Sequence, residues 1–434
     1  MFLSSSSYQD VATLANLPRY TAGQTHFYPA WSASNSEDVT KLTKEVSNHL
    51  AMEVGLEGVL RIRGSNGLKM NAFYGNFFNR SSDLCALPSM PRDQGYVTEV
   101  GIEEYISKPY VYFQAAFLHT SCHGQRRIRV LTLALPTSKD LKDVYASADQ
   151  LAITNYLSHK AIEKCLSSSL DDARDLLNKH LIDILNMYKK EIVPGNLGSS
   201  SPLQICTNLR MLPLLLHSLS KNIAFRGGRV PSDHRSAALN KLSTAPLDRL
   251  INFIYPTVYA LHTMDDDCGL PYEGEDDLYS FPPRLRGEIV LPDSINASFQ
   301  SLDRFGLYLI NNTSELFLYI GGDAVPELVR DVFGVNSLAE VQVGKTDLPE
   351  LDNEFNIKIR NVINKVREGD DTISYLSLYV VIGPATNEST AAYAANRDIM
   401  PLRIWCLSDL VEDRGAGGVA YKEYLGQLRD KISN

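Results

Sequence analysis

No two cysteines of this chain stand in a CxxC pair, and the six present, Cys85, Cys122, Cys165, Cys206, Cys268 and Cys406, lie too far apart for a zinc ribbon or a disulfide framework. A reducing compartment is the simpler setting. Long apolar runs are missing too: no stretch approaches the roughly 18 to 20 residues of a membrane span. The opening MFLSSSSYQD lacks a basic stretch followed by an apolar one, so no leader is read there and any membrane contact is expected to be peripheral. Basic charge is in deficit, 42 Lys and Arg against 51 Asp and Glu for a net charge of −9, which argues against a general nucleic-acid binder. Catalytic signatures are lacking as well, with no G-x-S-x-G, HExxH or P-loop. GAGGVA (415–420) matches a dinucleotide fingerprint by letter, but only 14 residues follow Ala420, too few for the βαβ unit and its distant acid. It reads as a turn before the last helix, and the chain as a non-enzyme. No internal repeat is apparent.

What is present is a chain of 434 residues, 44% hydrophobic and 21% charged, sized for several globular domains. Residues 1–37 are rich in Tyr, Pro and Gly and read as the end of a larger domain. Across 38–136 period-two alternation dominates, in GVLRIRG, LKMNAFYGNFF, YVTEVGI, YVYFQAAFL and RRIRVLTLAL, and predicts a β-sandwich. HTSCHG sets His119, Cys122 and His123 close together, yet fits a hairpin turn better than a zinc site.

Residues 137–264 turn helical. Leu170, Leu177, Leu181, Ile184, Leu185 and Tyr188 recur at three- and four-residue steps behind Ser169 as N-cap, with Asp171 and Asp172 in the first turn. LRMLPLLLHSLSKN and LDRLINFIYPTVYALH extend this all-helical domain, the second stopped by Pro256. Seven acids between Asp265 and Asp277, spaced unlike a calcium loop, mark a solvated linker within 265–297. Residues 298–434 mix types: a hairpin through Asn311 and Asn312, a helix from Pro326 to Gly334, a helix around 357–368, the strand SYLSLYVVIG, a helix around 390–396, the strand LRIWCL and a last helix, together a small α/β module. The fold class is thus multidomain α+β.

One strand carries an unusual pair. In EGVLRIRGSNGL, alternation sets Val59, Arg61 and Arg63 on one face and Leu60 and Ile62 on the other, the two guanidinium stems roughly 6–7 Å apart. They either line a solvated face, paired with Asp or Glu of neighbouring strands, or dock acids. A guanidinium fork accepts a carboxylate in two parallel bonds, and two forks suit an extended ligand with acids at i and i+2.

These residues also resemble a known family. EGVLRIRGSNGLKMNAFYGNFF, YASADQLAI, LRMLPLLLHSL, VPSDHRSAALN and RFGLYLINNTSELFLYIGGDAVPELVRDVFG are similar, in order and end to end, to the cargo-selecting adaptors of the COPII inner coat in their fungal form. The resemblance implies the end of a trunk domain, a β-sandwich, a helical domain and a gelsolin-like domain. The zinc ribbon and most of the trunk have no counterpart here, so no cofactor is expected. It implies a cytoplasmic, peripheral coat protein at the endoplasmic reticulum membrane that sorts cargo by short cytosolic signals in transport to the Golgi. By this resemblance Arg61 and Arg63 fall on the arginines that read acidic signals, Leu118 on an apolar pocket residue, and Trp405 on a tryptophan of a second site for SNARE signals with an Asn-Pro-Phe core, near the junction of trunk and gelsolin-like domain. The GTPase-activating inner-coat subunit is the implied partner, through an interface largely missing from this chain. The alternatives are that sister subunit itself and an actin-associated gelsolin-like protein.

Overall fold

The computed structural model describes residues 1–5, 7–81, 83–193, 203–280, 283–367, 373–388, 399–415 and 417–433. They separate into two units, one of residues 1–32, 49–251 and 416–434 and the other of 33–48 and 252–415. The first begins with strand β1 (Phe2–Ser5), short helices α1 (Val11–Leu14) and α2 (Asn16–Tyr20), and strand β2 (His26–Pro29), parallel to β1. Buried Asp233 tethers this stretch by accepting the Gln9 N–H at 2.6 Å and the Val11 N–H at 3.0 Å, which satisfies donors at the start of α1.

The sandwich, expected from residue 38, begins only at Val54, because Ser36–Ala51 forms helix α3. Asn35 starts that helix by accepting the N–H groups of Glu37 (2.9 Å) and Asp38 (3.3 Å). Next come β3 (Val54–Gly64), β4 (Leu68–Tyr74), β5 (Phe78–Ser81), β6 (Leu84–Pro91), β7 (Val97–Ile102), β8 (Tyr110–Thr120) and β9 (Arg126–Pro136). Five form an antiparallel sheet in the order β5-β6-β3-β8-β9, and β4 pairs with β7. Leu60, Cys85 and Leu87 make the core, with Ile62, Phe73 and Phe117 packed against it. β6 escapes a sequence reading because Pro88 and Pro91 mask it.

The helical part comprises α4 (Leu141–Ala146), α5 (Gln150–Ser167), α6 (Leu170–Glu191), α7 (Leu212–Lys221), α8 (Ser232–Thr244) and α9 (Leu247–Ile254). Ser169 caps α6 as expected, its hydroxyl accepting the Asp172 N–H at 3.1 Å, and Leu177, Leu181 and Leu185 are buried. α7 is buried along nearly its whole length and forms the centre of the bundle.

The helical domain, expected to run to residue 264, ends earlier, with α9 at Ile254 before Pro256. After Pro256, Thr257–Ala260 is strand β10, since β-branched and aromatic residues follow a residue that cannot continue a helix. β10 joins β11 (Ser294–Ile295), β12 (Leu307–Asn311), β13 (Glu315–Ile320), β14 (Gly344–Lys345) and β15 (Ser377–Ile382) in a six-stranded sheet ordered β11-β10-β12-β13-β15-β14. Helices α10 (Pro326–Phe333) and α11 (Glu354–Arg367) cover one face, with Val329, Val332, Ile359 and Val362 against Leu309, Leu316 and Leu318. Ile310, Phe317 and Tyr319 fill the other face, so these strands read as continuous apolar runs. In the hairpin turn the positive φ (62°) falls on Thr313, not on the asparagines. Asn311 and Asn312 act instead as acceptors, taking the N–H groups of Thr313 (2.8 Å), Ser314 (2.9 Å) and Glu315 (2.8 Å).

Two further expectations change. LRIWCL is no strand but part of helix α12 (Ile399–Ser408), whose buried Arg403 and Cys406 stand three residues apart on the inner face. The last helix, α13 (Tyr421–Ser433), belongs to the first unit rather than to the C-terminal module. There Tyr424 stacks on His217 at 4.4 Å and donates to Asn178 at 2.9 Å, while Lys189 donates to the Ile432 carbonyl at 3.1 Å. The helix expected around 390–396 lies outside the described residues.

Two buried imidazoles give the first unit a pH dependence. Burial pushes His159, stacked on Tyr74 at 5.2 Å, down to about 4. Burial, and then the Lys221 charge, pushes His217 down to about 4, where its ring meets the Val419 carbonyl at 3.1 Å. Because both folded values lie below the ordinary 6.5, the unfolded chain takes up protons that the folded chain refuses as pH falls from 6.5 toward 4. Stability should be full above 6.5 and fall by on the order of 3 kcal/mol per imidazole by pH 4. Urea midpoints between pH 7 and 4.5 test this: His217→Gln should flatten the profile by about half, and an unchanged slope would contradict the assignment.

Candidate functional site

β3 lies between β6 and β8, so hydrogen bonds on both edges fix its facing. Leu60 and Ile62 point to the core, while Arg61 and Arg63 are exposed on the opposite face. The register sets Arg61 opposite Ala116 and Leu84, Arg63 opposite Gln114, and Val59 opposite Leu118. Leu118, half-buried, therefore shares the arginine face, about 7–8 Å diagonally from Arg61. β9 sets Ile128 beside Leu118, so Val59, Leu118 and Ile128 form an apolar row across three strands. All eleven residues of β9 are exposed.

A bulge precedes the arginine segment. Between Leu56 and Val59 the pairing with β8 slips by one residue, with Glu57 at φ 51°. A Cβ on Gly58 would come within 2.7 Å of the Phe117 ring and 3.0 Å of the Leu87 carbonyl oxygen, so only glycine fits there. Beyond the strand, Ser65 pins the GSNG loop by accepting the Tyr112 N–H at 2.7 Å.

The two arginines are not equivalent. Arg61 is held by Asp83, whose Oδ2 accepts from Nε at 2.7 Å and from Nη2 at 2.5 Å. Arg63 has no ion pair among the described residues. Of the two sequence readings, pairing with a neighbouring acid holds for Arg61 and an open guanidinium remains at Arg63. Asp83 was missed because it precedes β6; its only sequence signal was the polar turn SSD.

Trp405 sits in the second unit, in α12, with 38% of its surface exposed. Its indole packs edge-on against Phe317 (5.0 Å) and Tyr379 (4.9 Å). Arg403 anchors the helix: its Nη1 donates to both Glu388 oxygens (3.0 and 2.9 Å), its Nη2 to the Gly383 carbonyl (2.9 Å) and its Nε to the Ile382 carbonyl. In HTSCHG, His119 is buried against Phe117, whereas Cys122 is exposed in the turn. Among the described residues no group of three His, Cys, Asp or Glu side chains could hold a metal ion.

Comparison with known proteins covers the same ground. Sequence profiles of the Sec23/Sec24 trunk domain match residues 1–50, of the Sec23/Sec24 β-sandwich domain residues 55–138 and of the Sec23/Sec24 helical domain residues 149–252. A gelsolin-repeat profile matches residues 288–363. A protein transport protein SEC24 from Komagataella pastoris is 61% identical over 439 aligned residues, covering 100% of this chain and 46% of that protein. The SEC24 of Saccharomyces cerevisiae is 52% identical, covering 100% of this chain and 46% of that protein. The crystal structure of the human COPII-coat protein Sec24c superposes with a TM-score of 0.85 at 25% identity, covering 99% of this chain and 52% of that one. The chain spans about half the length of the curated relatives it matches.

Two substitutions test this geometry. Gly58→Ala should cost about 1–3 kcal/mol by overpacking against Phe117; unchanged urea stability would remove the bulge constraint. Arg403→Ala strands a partly buried Glu388 (side-chain exposures 7% for Arg403 and 15% for Glu388) and should cost the second unit about 2–4 kcal/mol, much of it recovered by pairing Arg403→Met with Glu388→Leu. With Trp31→Phe as background, Trp405 fluorescence reports that loss directly.

Proposed function

The chain belongs to the Sec23/Sec24 family, and from that premise we propose that it is the cargo-reading part of a COPII coat adaptor, binding acidic sorting signals of membrane proteins on the Arg61/Arg63 face of its sandwich. The observation that carries the reading is the pair of exposed guanidiniums on one strand face, bordered by the apolar Val59, Leu118 and Ile128 row. An extended signal with acids at i and i+2 matches the arginine spacing, and an apolar residue beside them meets Leu118. The activity is recognition without bond-making. Such a peptide contact is weak, on the order of micromolar or poorer, because peptide ordering offsets much of the contact energy.

Selection then comes from many adaptors arrayed on one membrane. Among the described residues no helix is long and apolar enough to cross a membrane, which accords with a peripheral coat component at the endoplasmic reticulum. Its partner is the GTPase-activating subunit of the same coat. A second site, for SNARE tails carrying Asn-Pro-Phe, is assigned to α12, where the exposed edge of Trp405 offers an aromatic contact. A single gelsolin-like region beside a sandwich and a helical bundle speaks against the actin-associated alternative.

Fluorescence anisotropy of a labelled tail peptide with an Asp-Ala-Glu core tests the first site. Binding should weaken as salt screens charges beyond about 8–10 Å. It should be lost both with Arg61→Ala/Arg63→Ala and with an acid-to-alanine peptide. Equal binding of both peptides by a folded protein would sink the reading.

A further inference from the structure

We propose that Asp83 is a built-in competitor for the acidic ligand at Arg61, so that the site captures acids first at Arg63 and gains less from a second acid. This rests on the acidic-signal reading above and deepens it. One oxygen of Asp83 takes two donors of the Arg61 guanidinium, Nε and Nη2. The pair is exposed, 44% at Arg61 and 34% at Asp83, so it lies where an incoming carboxylate would arrive. A surface pair of this kind contributes little to stability, whereas its effect on an approaching charge is direct. With Asp83 in place the Arg61 side of the face is close to neutral, and Arg63 is the guanidinium left without a charged partner among the described residues.

A ligand carboxylate therefore has two routes to Arg61, and each is penalised. It can take the remaining Nη1 edge, at the cost of lying close to the Asp83 carboxylate, a like charge. Alternatively it displaces Asp83 and forfeits the existing double hydrogen bond. A signal with a single acid is held at Arg63 alone. A signal with acids at i and i+2 reaches the second guanidinium only against this penalty, so Asp83 makes two similar arginines unequal. The backbone fixes Asp83 in this role, because it directly precedes Leu84, the β6 residue opposite Arg61.

The test uses the full chain and two labelled peptides, one with an Asp-Ala-Glu core and one with Asp-Ala-Ala. Asp83→Asn keeps an oxygen that can accept from Arg61 and removes the charge; Asp83→Ser serves as the second variant should the first fold poorly. The two-acid peptide should bind about three- to tenfold tighter to Asp83→Asn than to the parent at low salt. That gain should vanish at about 1 M salt and in the Arg61→Ala background. Equal or weaker binding by both Asp83 variants overturns the proposal. If Arg63→Ala still abolishes binding while the Asp83 variants change nothing, the docking reading stands and the competitor falls. If no arginine variant matters either, both fall.

Discussion

A strand hydrogen-bonded on both edges cannot slip, and the rest of the sandwich face depends on that constraint at β3. Leu60 and Ile62 must enter the core with Leu87 and Phe117, so Arg61 and Arg63 must face outward. The one-residue bulge at Glu57–Gly58 then decides which residues of β8 they meet. Beyond it the register runs unbroken from Val59 opposite Leu118 to Gly64 opposite Phe113, which keeps Leu118 on the arginine face. Gly58 is where this constraint concentrates, since the Phe117 ring and the Leu87 carbonyl fill the space a side chain would need.

The second unit solves a different problem. Its central strands are covered on both faces, and charged residues rather than apolar ones join some of its outer elements. Near-buried Asp38 of α3 pairs with Lys345 of β14, and Glu45 of the same helix accepts the Tyr375 N–H at 2.9 Å. Arg403 plays the same part for α12 at the end of β15. The Asp38–Lys345 and Arg403–Glu388 pairs carry the desolvation cost of buried charge, so each is sensitive to loss of one partner and tolerant of joint apolar replacement. This anchoring holds Trp405 half in and half out of the core, against Phe317 and Tyr379.

On the proposed reading, the two arginines work by contrast. A guanidinium already engaged and one left open, on the same strand, present a graded charge rather than a uniform patch. Weak single contacts suit an adaptor whose selectivity is multiplied by arrays, because a tight single site would bind any acidic segment it met.

Much of this was legible in the sequence. Period-two alternation located five of the seven sandwich strands, three- and four-residue steps located α6, and Ser169 marked its start, because these signals are local. Alternation alone put Arg61 and Arg63 on one outer face. The sequence misled where the deciding contact is distant. LRIWCL has strand composition, yet its burial follows Arg403 and Cys406 in a helix against β15. β6 was hidden by its prolines. The terminal helix joined the bundle because His217 and Asn178 receive Tyr424. Local pattern determined which elements form and which way β3 faces; only tertiary structure decided that Asp83 occupies Arg61 and that Leu118 stands beside it, because strand register brings together residues 22 and more than 50 positions apart.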